Sequence, residues 1–127
     1  MRGLLLVAAG GAIGASARYL LAKGLAAWDW NQVPWYTLIA NITGAFLLGI
    51  VVALTVERGG RIEESWLLFL GVGVLGGYTT FSTFSLETYE LLREGLVAQA
   101  AFYSIGSLLL GVVAVWAGFA AARVFAV

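Results

Sequence analysis

From Gly76 to Ser85 the chain reads Gly-Gly-Tyr-Thr-Thr-Phe-Ser-Thr-Phe-Ser, with five Ser and Thr hydroxyls interleaved with two phenylalanines. This stretch lies inside an uncharged run from Ser65 to Leu86, long enough to cross a bilayer, for which roughly 20 apolar residues suffice. Sequence facing lipid has no reason to carry so many polar groups. At membrane depth, irregular backbone and clustered hydroxyls are tolerated where protein or a polar cavity surrounds them. Two readings are open, a Ser/Thr-rich packing face and an ion pathway, and the density of the run with its Gly-Gly step favours the pathway. The glycines predict a helix broken at Gly76-Gly77. Carbonyls freed there could coordinate a monovalent cation such as Na⁺.

Asn41 is the second chemical signal, set in an otherwise apolar span with Thr37 four residues before it. That spacing puts both on one helix face. An amide in hydrocarbon must find a partner, whether another helix, a water or an ion. Tyr103 and Ser107, again four apart, give a hydroxyl-bearing stripe on a later span. Hydroxyls and amides can donate to an anion. The lining read this way offers neutral donors and no buried carboxylate, which suits a small anion better than a cation. Neutral donors replace hydration without trapping the ion. Phe81 and Phe84 fit either packing or lining, since the positive edges of their rings can attract an anion. Arg18, near the end of the first apolar stretch, is expected to cap carbonyls or attract anions. Glu87 and Glu90 lie just beyond the uncharged zone and are expected to be solvated, at a vestibule.

These residues must be positioned by membrane-spanning helices. The chain of 127 residues is 61% hydrophobic and 11% charged, more apolar surface than a soluble domain of that size can hide. Formal net charge is zero, which argues against a nucleic-acid partner. Cysteine and histidine are absent, removing disulfides, thiolate chemistry and the usual neutral-pH proton carrier. No nucleophile-base pair or metal cluster is visible, so an enzyme is not expected.

Apolar segments run from about Gly3 to Ala22, Pro34 to Val56, Ser65 toward Arg93, and Gly95 to Ala122. The first resembles the start of a signal peptide, but apolar sequence continues past Arg18, so it reads as a first membrane helix. All of residues 1–127 then form one four-helix transmembrane domain of the all-α class. Trp28, Trp30, Trp35 and Trp66 fall near the expected interfaces. With four spans, Arg2, Arg58, Arg61 and Arg123 share one side, against Lys23, Arg93 and a snorkelling Arg18 on the other. This positive-inside bias is weak, so insertion both ways and an antiparallel pair are plausible. Gly10 with Gly14, and Gly73 with Gly77, allow close helix approach.

Taken together, GGAIGASARY from Gly10, NITGAFLLG from Asn41 and GGYTTFSTFSLE from Gly76 resemble the Fluc (CrcB) family of fluoride channels over nearly the whole chain. The resemblance implies a dual-topology antiparallel homodimer in a bacterial plasma (inner) membrane. It further implies two fluoride pathways, passive fluoride export and a central structural Na⁺ at the dimer interface. By the same resemblance, Phe81 and Phe84 look like the family's phenylalanine box and Asn41 like its pore asparagine. Thr80, Ser82 and Thr83 fall in the polar stretch, with Thr37 beside them as candidate lining. Tyr103 and Ser107 resemble the fourth-helix polar track, and the main-chain carbonyls of Gly76 and Thr79 the Na⁺ ligands. Arg18 and Glu87 are left structural or vestibular roles. Gly111 departs from the pattern, standing where some relatives carry another hydroxyl.

A small multidrug-type exporter is the rival reading, sharing the length, span count and dual topology. Proton-coupled export requires an intramembrane titratable group, and residues Gly3 to Ala17 contain none. On the residues alone, fluoride is not separable from other small anions; the resemblance makes that step.

Overall fold

The computed structural model describes residues 1–27, 32–56 and 64–124, and all regular structure among them is helical. Trp28, Trp30, Arg58 and Arg61 lie outside the described residues. Four helices are long and apolar enough to span a membrane: Arg2–Gly24, Trp35–Thr55, Glu64–Arg93 and Val97–Val124. The first, second and fourth are continuous α-helices. Helix is the regular structure that satisfies every backbone group within one segment, as hydrocarbon demands.

The third span is composite. One α turn, Glu64–Trp66, leads into a π-helical stretch, Leu67–Leu75, and a second α turn, Gly76–Tyr78. Thr79 is extended, at φ −85° and ψ 162°, and Thr79–Phe81 belong to no helix before Ser82–Arg93 resumes. The span therefore bends three residues after the expected place, and Gly76 and Gly77 are themselves helical. The glycines serve packing instead. A Cβ on Gly10 would come within 2.9 Å of the Gly73 Cα, and one on Gly77 within 2.6 Å of the Gly11 carbonyl. The two glycine pairs thus face each other across a seam between the first helix and the third span, where the backbones touch.

The second helix packs most extensively on the fourth, as the first does on the third. Gly49 and Gly118 make the second seam, each lying against the opposite backbone. The third span closes through Gly95, at φ 79°. Leu96 N–H donates to the Leu91 carbonyl (2.9 Å) and Gly95 N–H to the Leu92 carbonyl (3.1 Å). This double bond pattern around a left-handed glycine ends a helix sharply, and so the fourth helix turns straight back along the third.

Candidate ion pathway

The bend is held by one side chain. Asn41 Oδ1 accepts the Thr80 N–H at 2.8 Å, and Asn41 Nδ2 donates to the Thr80 carbonyl at 3.0 Å. The amide pairs with the N–H and the carbonyl of a single residue, as a neighbouring strand would. In a continuous α-helix the Thr80 N–H would return to the Gly76 carbonyl; here it is diverted. The Thr83 N–H, due at the Thr79 carbonyl, goes to Thr80 Oγ1 at 3.2 Å instead, a bond of the helix-capping kind. Gly76 and Thr79 therefore lose their helical donors together. The Gly77 carbonyl accepts a long bond of 3.4 Å from Arg18 Nε, so Arg18 caps backbone exposed by the bend.

Thr80 also gathers its neighbours, with Oγ1 lying 3.1 Å from Thr83 Oγ1 and 3.4 Å from Ser82 Oγ. The other hydroxyls of this region fold back on their own helix. Thr79 Oγ1 donates to the Leu75 carbonyl, Ser85 Oγ to Phe81 and Thr88 Oγ1 to Phe84, each at 2.9 Å. Such back-bonding satisfies a hydroxyl in hydrocarbon without a partner helix.

A second polar cluster corrects the sequence reading. Glu87 was expected in solvent, and the lining was expected to hold no buried carboxylate, yet Glu87 is only 7% exposed. Tyr36 and Thr37 donate to its Oε1 at 2.5 and 2.9 Å, and Tyr103 donates to its Oε2 at 2.6 Å. Three O–H donors suit an ionised carboxylate, which is an acceptor at every lone pair. Thr37 and Tyr103 are both 0% exposed, so their two bonds are shielded from water, while the Tyr36 bond is part-buried. Glu90 remains exposed. Tyr36 was missed altogether. The available signal was Glu87 itself, four residues after Thr83 and three after Phe84, a spacing that puts all three on one face of a helix.

The phenylalanines join the clusters. Phe81 and Phe84 ring centroids are 5.9 Å apart, and Phe84 lies 5.2 Å from the Tyr103 ring. Phe84 is half-buried, whereas Phe81 is 80% exposed. Beside them opens a cavity of about 500 Å³, lined among others by Asn41, Gly76, Thr79, Thr80, Phe81, Phe84 and Ser107. Ser107 Oγ is buried and, among the described residues, has no hydrogen-bond partner. Thr37 and Tyr103 do not line this cavity. A Cβ on Gly111 would meet nothing within 4 Å, so space for a hydroxyl exists there.

The family profile described as "CrcB-like protein, Camphor Resistance (CrcB)" matches residues 5–119. The chain belongs to the CrcB family. Among its relatives, a protein of Phenylobacterium zucineum (strain HLK1) is 49% identical over 123 residues, covering 97% of each chain. One from Nitrobacter winogradskyi is 48% identical over 121 residues, 95% of each chain. Another from Caulobacter sp. (strain K31) is 46% identical over 123 residues, 97% of this chain and 96% of its own. Each carries the name "Fluoride-specific ion channel FluC". With its four spanning helices, this CrcB chain is a multi-pass integral membrane protein.

Proposed function

We propose that this CrcB protein is a fluoride-selective channel, not an enzyme, that lets fluoride leave the cytoplasm passively across a bacterial plasma (inner) membrane. Relatives named as fluoride channels, matching end to end, support the ion and the activity. Within the molecule, the carrying observation is the unpartnered buried Ser107 hydroxyl in the Asn41 cavity. Asn41 adds a second N–H beyond the one given to Thr80. A small anion stripped of water can be received by such donors, and the edges of Phe81 and Phe84 extend the polar surface. Thr80 supplies a hydroxyl at the cavity wall, backed by those of Ser82 and Thr83, while Thr37 and Tyr103 lie outside the cavity with their hydroxyls given to Glu87.

The working unit is an antiparallel homodimer with two pathways. A lone chain would turn Phe81 and the polar cavity wall toward lipid, which hydrocarbon disfavours, and a second copy in dual topology would cover them. Na⁺ at the interface fits the residues present. The Gly76 and Thr79 carbonyls have lost their helical donors, and one such pair from each protomer makes four oxygens. Bound there, Na⁺ supplies fixed positive charge and joins the two bends.

Fluoride efflux from liposomes holding the purified protein, with chloride as control, tests the reading; fluoride passes and chloride does not. Glu87 is a buried carboxylate of the type a proton-coupled exporter requires. An imposed proton gradient that drives fluoride uphill at clamped voltage would therefore sink the channel reading. Single cysteines placed in the second loop should label from both sides of intact cells, and one-sided labelling contradicts dual topology.

A further inference from the structure

We propose that Asn41 is a positioning residue for the cation site: by holding the Thr80 N–H, its side-chain oxygen keeps the Gly76 carbonyl free to act as a ligand. The proposal rests on the Na⁺ reading above and assigns to Asn41 a task beyond lining the fluoride pathway. The amide has four hydrogen-bonding positions, two N–H groups and two lone pairs. One lone pair takes the Thr80 N–H and one N–H is given to the Thr80 carbonyl. The second N–H is left for the cavity that Asn41 shares with Ser107, Gly76 and Thr79. A single side chain thereby serves both ions, cation through its oxygen and anion through its nitrogen.

The alternative state is close at hand. Gly76–Tyr78 is already helical and Ser82–Arg93 resumes three residues later. Without the amide, the Thr80 N–H would be an unpaired donor in an apolar bundle, and such donors are costly to leave unmade. Its nearest remedy is the Gly76 carbonyl four residues back, the ordinary helical bond. Forming it would straighten the span and occupy the ligand. Asn41 therefore competes with helix propagation at one peptide, and the bend records the outcome. Arg18 on the Gly77 carbonyl engages one of the two oxygens between Gly76 and Thr79.

The substitutions Asn41→Asp and Asn41→Ala separate the two tasks. Aspartate keeps an oxygen for the Thr80 N–H and loses the amide donor; alanine loses both. Cation binding is read without fluoride, as the rise in thermal unfolding midpoint of full-length protein in detergent when Na⁺ replaces N-methylglucamine. The wild-type and Asn41→Asp proteins should respond at similar Na⁺ concentrations, although Asn41→Asp loses fluoride flux. Asn41→Ala should need roughly tenfold more Na⁺ or more, the scale of one hydrogen bond. In Na⁺-free buffer the carbonyl ¹³C resonance of Gly76 should move toward that of a hydrogen-bonded helical carbonyl in Asn41→Ala and stay in place in Asn41→Asp.

An unmoved Gly76 resonance in Asn41→Ala overturns the proposal, as does a wild-type Na⁺ requirement in that variant. A folded Asn41→Asp protein with no Na⁺ response also overturns it, so the outcome does not hang on the alanine variant folding. If wild type shows no Na⁺ response while the Gly76 resonance moves as expected, the cation reading fails and the grip on Thr80 stands.

Discussion

Two polar layers hang from the second helix one turn apart, and they are built in opposite ways. The layer at Thr37 is charged and saturated: Thr37, Tyr36 and Tyr103 all spend their hydroxyl protons on Glu87. The layer at Asn41 is neutral and keeps capacity in reserve, since Ser107 has no partner and the amide holds a spare N–H. The fourth helix is divided in the same way, Tyr103 to one layer and Ser107 to the other. A saturated layer fixes helices; an unsaturated one can receive an ion. The difference teaches that donors on a single helical stripe need not share a single task.

Removing the carboxylate breaks the saturated layer most severely. Glu87→Ala leaves three hydroxyls facing one another in an apolar bundle, and at about 1 kcal/mol each the loss is about 3 kcal/mol. Equilibrium unfolding in mixed micelles measures it, and a loss under about 1 kcal/mol would mean the hydroxyls find other partners. Asn41→Ala strikes the other layer. Losing a donor to an anion should lower fluoride flux roughly tenfold to a hundredfold in liposomes, whereas Thr37→Ala, with two donors still on Glu87, should lower it less.

Phe84→Ile should cost about 1 kcal/mol through the lost Tyr103 ring contact and also reduce flux. Phe81→Ile should reduce flux at a smaller cost in stability, because Phe81 has one ring neighbour, Phe84, where Phe84 has two. Equal unfolding midpoints for the two variants would erase the distinction. Ser107→Ala sharpens the contrast through opposite signs. Removing an unpaired buried hydroxyl should stabilise by up to about 1 kcal/mol, while fluoride flux falls. Thr88→Ala gives the smallest effect, within about 0.5 kcal/mol, as its hydroxyl bonds back to its own helix.

The spans were legible because hydrocarbon permits so few structures: long uncharged runs bounded by Arg18, Trp35, Ser65 and Arg123 mark them. Family membership followed from the Gly76–Glu87 motif. The bend position was not legible, because glycine permits a break without requiring one. What decides it is Asn41, 39 residues away from Thr80 in sequence, and pairings across spans have no local signature. Glu87 was misplaced for a related reason. A carboxylate at the end of an apolar run reads as solvated by default, and only the convergence of Tyr36, Thr37 and Tyr103 makes burial tolerable. The two-layer division was hidden because helical spacing reports which residues share a face, not which neighbour each one meets.

The glycine seams bear on how the molecule is made. Spans one and two leave the ribosome as neighbours but pack little on each other, each having its chief partner two spans later. The first helix presents Gly10 and Gly14 to a surface that does not exist until Gly73 and Gly77 have been synthesised. Helices in lipid insert first and associate afterwards, and here the interval is enforced by chain order. During it, the first two helices wait in the bilayer as independent rods. A truncation after the second span should therefore insert and yet remain unassembled, because the partner half of each seam is missing.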